Sequence, residues 1–175
     1  MTRIFRSPPF SKSVTSVKSV VLPLFKVTLV PATSDHIPSM AALFEAQLQE
    51  HGIDSPAEGL VPVLHLLLEQ PQHGFALCAV HDGAVVGVAY AACILSLEHS
   101  GWSGWLEELY VLPEWRGRGL GSQMLDAVIA GSRERRWIAL DLEVDSGHQR
   151  VISLYARRDF QPVSRSRFVH RLREE

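Results

Sequence analysis

Residues 105–121 read WLEELYVLPEWRGRGLG, and this stretch decides the fold. An apolar-rich strand over Leu106–Leu112 runs into a proline-containing turn, which continues as RGRGLG over residues 116–121, and an amphipathic helical run begins near Ser122. Glycines at a strand-to-helix turn leave backbone N–H groups uncovered, and the dipole of the following helix favours an anion there. The stretch therefore predicts a phosphate cradle.

Three other interpretations of these glycines are a P-loop, a dinucleotide-binding turn and a turn without a ligand. A P-loop needs a lysine and a Ser or Thr after its last glycine, and neither follows here. A dinucleotide-binding turn needs G-x-G-x-x-G, whereas the spacing here is G-x-G-x-G, and only 54 residues follow Gly121. Asp141 does lie 20 residues after Gly121, as the acidic residue of that motif would. A glycine-rich turn without a ligand is the third alternative.

The stretch resembles the acetyl-CoA loop of the GNAT superfamily of N-acetyltransferases. That loop has the form R/Q-x-x-G-x-G/A, which Arg116, Gly119 and Gly121 match, and the preceding LYV strand end and LPEW turn are of the family's type. The resemblance covers about residues 27–172 and implies acetyl-CoA as co-substrate. The cofactor-binding residues that it implies are Leu109, Tyr110, Val111, Arg116, Gly117, Arg118, Gly119, Leu120, Gly121, Ser122 and His148.

Hydrophobic periodicity and turn residues predict the remaining elements. The predicted strands are Lys26–Val30, Phe75–Val80, Ala84–Ser96, Leu106–Leu112, Trp137–Val144 and Phe160–Leu172, with a loop at Ser100–Gly104. The predicted helices begin near Asp35, Pro56 and Ser122, and a last one spans Gln149–Arg158. The order β-α-α-β-β-β-α-β-α-β is the GNAT order. It predicts an α/β protein with a mixed sheet flanked by helices, and the resemblance implies a splayed central strand pair.

Composition limits the class of protein. A chain of 175 residues fits one domain, and a net charge of −2 does not suggest a nucleic-acid partner. The longest uncharged run, Ala84–Leu97, is 14 residues and too short to cross a bilayer, so no membrane contact is expected. The eight histidines are scattered without H-E-x-x-H spacing, so no metal site is expected. We expect a cytoplasmic protein with a small-molecule amine partner, and a homodimer is left open.

The N-terminus differs in composition from the rest. Residues 1–26 carry five basic residues and no acidic one, and they are interpreted as a disordered basic extension before a domain at 27–175. An organelle transit peptide and an upstream start of the reading frame are the alternatives.

Acetyl transfer to an amine makes three chemical demands. The ammonium must lose its proton, the thioester oxygen must be stabilised as charge develops, and the departing thiolate benefits from an acid. Glu107 and Glu108 are adjacent on the predicted strand and should point to opposite faces. Among GNAT enzymes the chain most resembles the small-amine, polyamine-like acetyltransferases. This resemblance implies Glu107 as the base, directly or through water, and a backbone N–H of the same strand as an oxyanion donor.

Tyr155 is the acid that the resemblance implies. The family pattern is N-x-x-A-x-x-x-Y followed by Gly-Phe. This chain departs from it at three positions, where His148 replaces Asn, Val151 replaces Ala and Asp159 replaces Gly. A core aromatic is the alternative role for Tyr155. Arg118, Arg157 and Arg158 are candidates for the CoA phosphates, and solvated surface charges are the alternative.

The segment of about Gln49–Pro56 lines the acceptor site in the family, and here it carries Glu50, His51 and Asp54. With Glu107 and Glu108 expected nearby, the carboxylates of this segment favour a cationic acceptor. The sequence therefore predicts an acetyl-CoA-dependent N-acetyltransferase that acts on a primary amine of a small cationic substrate by direct attack. A protein N-terminal or lysine acetyltransferase and a non-catalytic acyl-CoA-binding module are the alternatives.

Overall fold

Five strands form one sheet in the order β1-β2-β3-β4-β5. The computed structural model describes residues 26–144, 149–170 and 172. The strands are Val27–Pro31 (β1), Gly74–His81 (β2), Ala84–Ser96 (β3), Gly101–Val111 (β4) and Leu140–Leu142 (β5). The first three neighbouring pairs are antiparallel, whereas β4 and β5 are parallel. The predicted α/β class with a mixed sheet is thereby confirmed.

The described residues contain four α-helices, which divide between two compact units of the chain. The larger unit extends to Glu143 and the smaller one begins at Val144. The helices are Ile37–Glu50 (α1), Ala57–Glu69 (α2) and Leu120–Glu134 (α3) in the larger unit, and Gln149–Ala156 (α4) in the smaller one. Residues 1–25 of the predicted extension and the predicted contact His148 lie outside the described residues.

Helices pack on both faces of the sheet in the larger unit. The core against α1 and α2 includes Val88 of β3 and Tyr110 of β4. Gly87, the neighbour of Val88, faces α3 instead, because a Cβ there would lie 2.8 Å from the Met124 sulfur. Successive residues of a strand point to opposite faces, so α1 and α2 cover one face and α3 covers the other.

β4 extends beyond β5. All three residues of β5, Leu140–Leu142, pair with Gly104–Leu106, and β4 continues to Val111. The resemblance places the splayed pair at these two strands. On its other side, β4 has a bulge against β3, because Tyr90 pairs with Glu108 and Ala91 pairs with Leu106. Glu107 is the extra residue of that bulge.

The structure corrects several predicted boundaries. The loop at Ser100–Gly104 is wrong, because β4 begins at Gly101 and its pairing with β3 continues to Ser96. The strand predicted at Trp137–Val144 is shortened to Leu140–Leu142, and α4 ends at Ala156. The helix predicted near Ser122 begins at Leu120.

The predicted closing strand, Phe160–Leu172, is wrong in the region the structure describes, since residues 160–170 and 172 contain no strand. Pro162 has no N–H to donate, and Val163 and Phe168 are 72% and 92% exposed. A strand is stabilised by pairing with a neighbour, and the alternation of side chains cannot replace that pairing.

In the described part of the chain, no helix combines the length and apolar character needed to cross a membrane.

Candidate active site

The turn between β4 and α3 has an unusual backbone. After a short 3-10 turn at Pro113–Trp115, Gly117 and Gly119 adopt φ values of +74° and +82°. Side chains strain this left-handed conformation, so glycine is favoured at both positions. Among the described residues, no atom lies within 4 Å of where a Cβ would stand on either glycine. The backbone shape, and not crowding by protein neighbours, therefore requires these two glycines.

The N-terminus of α3 opens onto this turn. Gly119 is its N-cap and provides no side-chain hydrogen bond to the first amides of this 15-residue helix. The first amides of an α-helix lie at the positive end of the helix dipole, which favours an anion there. A Cβ on Gly121 would lie 3.9 Å from Val111 Cγ2, an ordinary contact, so alanine fits there as the family pattern allows. The geometry is that of an anion cradle at the end of β4.

Arg116, the first residue of the motif, is tied to the protein itself. Its Nη2 donates to both carboxylate oxygens of Glu50, at 2.8 and 3.1 Å, and its Nε donates to the Val111 carbonyl oxygen at 2.8 Å. The Tyr110 hydroxyl donates to Glu50 Oε1 at 2.9 Å, and the guanidinium carbon lies 5.0 Å from the Tyr110 ring centroid. We call the side chains of Glu50, Tyr110 and Arg116 the Glu50 clamp. It joins the end of α1 to the end of β4.

The clamp fixes the ionisation of its members. The hydrogen bond from Arg116 lowers the pKa of Glu50, although partial burial opposes this change. The same hydrogen bond raises the pKa of Arg116. Burial, and next the hydrogen bond to Glu50, raises the pKa of Tyr110. At neutral pH the clamp therefore holds a carboxylate, a guanidinium and a neutral phenol. The charge of Glu50, predicted to attract the acceptor, is already balanced by Arg116.

Glu107 is the first residue of β4 beyond the pairing with β5, and it is the extra residue of the bulge. Its side chain is exposed, whereas Glu108 is half-buried and makes contacts of its own. Burial, and next the charge of Glu107, raises the pKa of Tyr90, which indicates that this carboxylate lies near the Tyr90 phenol. The prediction that Glu107 and Glu108 point to opposite faces assumed a regular strand. Because the bulge interrupts the regular strand here, the alternation of side chains between the two faces does not apply to these two residues.

Arg118 is also engaged at the turn. Its guanidinium carbon lies 5.5 Å from the centroid of the Trp115 ring, and the His81 ring lies 4.7 Å from the same indole. These contacts join the glycine turn to the end of β2.

Tyr155 lies on α4 in the smaller unit. Its ring is half-buried and meets the Phe160 ring edge-on at 5.6 Å. Asp159 has φ of +64°, a left-handed conformation that aspartate tolerates better than most residues. Glycine is favoured in this conformation, so Asp159 has a backbone shape that a glycine at this position would adopt readily. Arg158 follows α4, with its Nη1 donating to the Leu154 carbonyl oxygen at 3.4 Å, and Arg157 is exposed.

Sequence reasoning did not find the Glu50 clamp. Glu50 and Arg116 are 66 residues apart, and no spacing pattern relates a helix end to a distant turn. Glu50 was recognised only as part of an acidic acceptor segment. The bulge at Glu107 was missed as well, because the run LEEL reads as an ordinary strand.

The glycine turn is not part of the cavity along the β1 edge. A cavity of about 960 Å³ lies along the β1 edge, between residues such as Leu29, Leu67 and Arg135, and its described lining includes none of the predicted site residues. A turn that binds phosphate through backbone amides needs no deep cavity, so the site is assigned from the geometry of the turn. Among the described residues, no group of three or more His, Cys, Asp or Glu side chains is arranged to hold a metal ion.

Comparison with known proteins agrees with this geometry. Residues 40–160 match the model of the acetyltransferase (GNAT) family. The chain therefore belongs to this family, which confirms the resemblance seen in the sequence and the predicted enzyme class, an N-acetyltransferase.

Two curated relatives are similar over different lengths. Thialysine N-epsilon-acetyltransferase of Bos taurus is 25% identical over 138 residues, which is 75% of each chain. Mycothiol acetyltransferase of Propionibacterium freudenreichii subsp. shermanii is 42% identical over 60 residues, which is 33% of this chain and only 19% of that protein.

A solved structure shares the fold. A predicted acetyltransferase from Clostridium acetobutylicum, solved with acetyl-CoA, superposes with a TM-score of 0.70 at 18% identity, covering 82% of this chain and 96% of that one. At this identity the likeness supports the fold of the chain alone.

Proposed function

We propose that the protein is an acetyl-CoA-dependent N-acetyltransferase that acetylates a primary amine of a small cationic substrate by direct attack. The observation that carries the proposal is the N-terminus of α3, which has no side-chain cap and follows the left-handed Gly117 and Gly119. This turn follows the end of β4, which extends beyond its pairing with β5 from Glu107 to Val111.

The residues present fit acetyl-CoA. The backbone of the turn is suited to its pyrophosphate, because Gly117, Gly119 and Gly121 carry no side chain and the turn leads into the N-terminus of α3. The end of β4, residues 109–111, lies beyond the pairing with β5 and is suited to the extended pantetheine arm, since an added extended chain can pair with a strand edge. The Val111 carbonyl already accepts a hydrogen bond from Arg116, so that group serves the protein.

Two side chains are assigned to proton transfer. Glu107 takes the proton of the acceptor ammonium, directly or through water, so that the nitrogen lone pair becomes available. Tyr155 gives a proton to the departing thiolate, and the second proton that the acetylated nitrogen loses restores the phenol. Bound acetyl-CoA supplies the acetyl group as a thioester, whose C–S bond breaks as the new C–N bond forms.

The acceptor class follows from charge. Asp54 and Glu107 are exposed carboxylates of the expected acceptor side, and both favour a cation. Glu50 is not included among these acceptor-side carboxylates, because its negative charge is paired with Arg116. The Bos taurus relative supports a small amine, since its name places acetylation on the ε-nitrogen of thialysine.

Turnover with a panel of acceptors tests the proposal. The panel contains a polyamine, thialysine, an amino sugar, a lysine peptide, and the N-acetylated form of each as control. We expect thiol release from acetyl-CoA with the free small amines and none with the blocked forms. Preference for the peptide would establish a protein acetyltransferase. CoA binding without turnover of any amine would establish a binding module.

A further inference from the structure

The Glu50 clamp uses the donors of Arg116 in two directions at once. Nη2 faces the Glu50 carboxylate and Nε faces the Val111 carbonyl, so the guanidinium is held from both sides. Nη2 makes two charge-assisted hydrogen bonds, a class stronger than neutral ones, and the Tyr110 hydroxyl adds another bond to the same carboxylate. This geometry fixes Arg116 against the protein.

The clamp also connects two functional segments. Glu50 is the last residue of α1 and precedes the expected acceptor segment, whereas Arg116 begins the glycine turn. Tyr110 is buried in the core between α1 and the sheet, and its burial anchors the clamp to that core. A displacement of either segment therefore breaks hydrogen bonds that hold the other.

We propose that Glu50 is a positioning residue for the acetyl-CoA turn, and not an acceptor-binding carboxylate. Resting on the proposed function, this inference assigns phosphate binding to the backbone amides of the turn. Glu50 keeps Arg116 on Val111, and Arg116 in turn holds the first residue of the turn beside the end of β4. The affinity for the co-substrate then depends on a side chain that does not contact it.

A double-substitution cycle tests the inference. The dissociation constant of CoA is measured by calorimetry, and kcat and the KM for acetyl-CoA by thiol release, for Glu50→Ala, Arg116→Ala and the double variant. Because the pair is 46% and 44% exposed, we expect each single change to weaken CoA binding only about three- to fivefold, with kcat little changed. The double variant should bind CoA with an affinity no lower than that of the single variant with the lower affinity, because the two residues act as a unit.

Controls separate the outcomes. Glu45→Ala removes a half-buried carboxylate from the same helix and should bind CoA normally. If Glu50→Ala does not fold, Glu50→Gln keeps the shape, removes the charge and should weaken binding in the same direction. Unchanged or tighter CoA binding in the Glu50 variants would overturn the inference, since a released Arg116 would then bind phosphate itself. Additive losses would also overturn it. Absence of CoA binding by the unsubstituted protein would overturn the proposed function as well.

Discussion

Glu107 has two unusual structural features. It is the extra residue of the β3–β4 bulge and the first residue of β4 beyond its pairing with β5. Bulges commonly lie next to active sites because they redirect a side chain. This placement supports Glu107 as the proton acceptor without reference to the family.

We expect Glu107→Gln to lower kcat roughly 10²- to 10³-fold, the usual size of a general-base contribution. Acetyl-CoA affinity should be nearly unchanged, because the side chain lies outside the phosphate cradle. Steady-state thiol release measures both parameters. Glu108→Gln is the matched control, since Glu108 is the half-buried neighbour in the same strand. Greater damage from Glu108→Gln would reverse the assignment.

Tyr155 offers a test of the proposed acid. Tyr155→Phe removes only the hydroxyl and keeps the ring contact with Phe160, so the fold should be unchanged. Thiols ionise near pH 8.5, and an acid is helpful but not essential at neutral pH, so kcat should fall about 10- to 10²-fold. CoA affinity should stay the same. A kcat within twofold of the parent would make Tyr155 a packing residue.

The glycine turn allows a comparison of two substitutions in one element. Gly119→Asp places a side chain and a negative charge on a left-handed residue at the start of α3, and CoA affinity should fall at least tenfold, about 1.4 kcal/mol. Gly121→Ala adds a methyl group that meets only an ordinary contact with Val111, and it should bind CoA like the parent. Calorimetry of both variants checks the prediction. Equal affinities in two folded variants would reject the phosphate cradle.

Elements with strong local signals were predictable. Asp82-Gly83 marks the hairpin between β2 and β3, and the apolar run Ala84–Ser96 has the bounds of the observed strand. The glycines of the turn identified the start of α3 to within two residues. In each case short-range sequence chemistry and tertiary packing favour the same structure.

Elements that depend on distant partners were not predictable. The start of β4 at Gly101 depends on pairing with Ser96 across a tight connection, although Ser100–Gly104 has the composition of a loop. The run Phe160–Leu172 has strand-like residues, but no strand forms among those described. The pairing of Glu50 with Arg116 likewise depends on the folded arrangement of α1 and β4. Such features are determined by tertiary context, which local patterns do not contain.

For the larger unit as a whole, the clamp is one of the contacts that unite helix and sheet. The α1 helix packs on β3 and β4 through an apolar core, and the Glu50 clamp closes the exposed end of this interface. Apolar burial provides most of the stability there, whereas a half-exposed ion pair adds little. The main effect of the clamp is therefore on position, and its effect on stability should be small and dependent on pH.

The sign of that pH dependence follows from Glu50. Its pKa is lowered in the folded protein by the hydrogen bond from Arg116, so the charged carboxylate stabilises the fold at neutral pH. This contribution is complete above the ordinary glutamate pKa of about 4.3 and is lost as the pH falls through the lowered value.

We expect Glu50→Gln to reduce the free energy of unfolding by no more than about 1 kcal/mol at pH 7. The difference from the parent should shrink as the pH falls below 4 or as salt approaches about 1 M, where screening is strong. Urea unfolding at several pH values measures it, with Glu45→Gln as control. A difference that is constant with pH would show that the loss comes from altered packing and not from the charge.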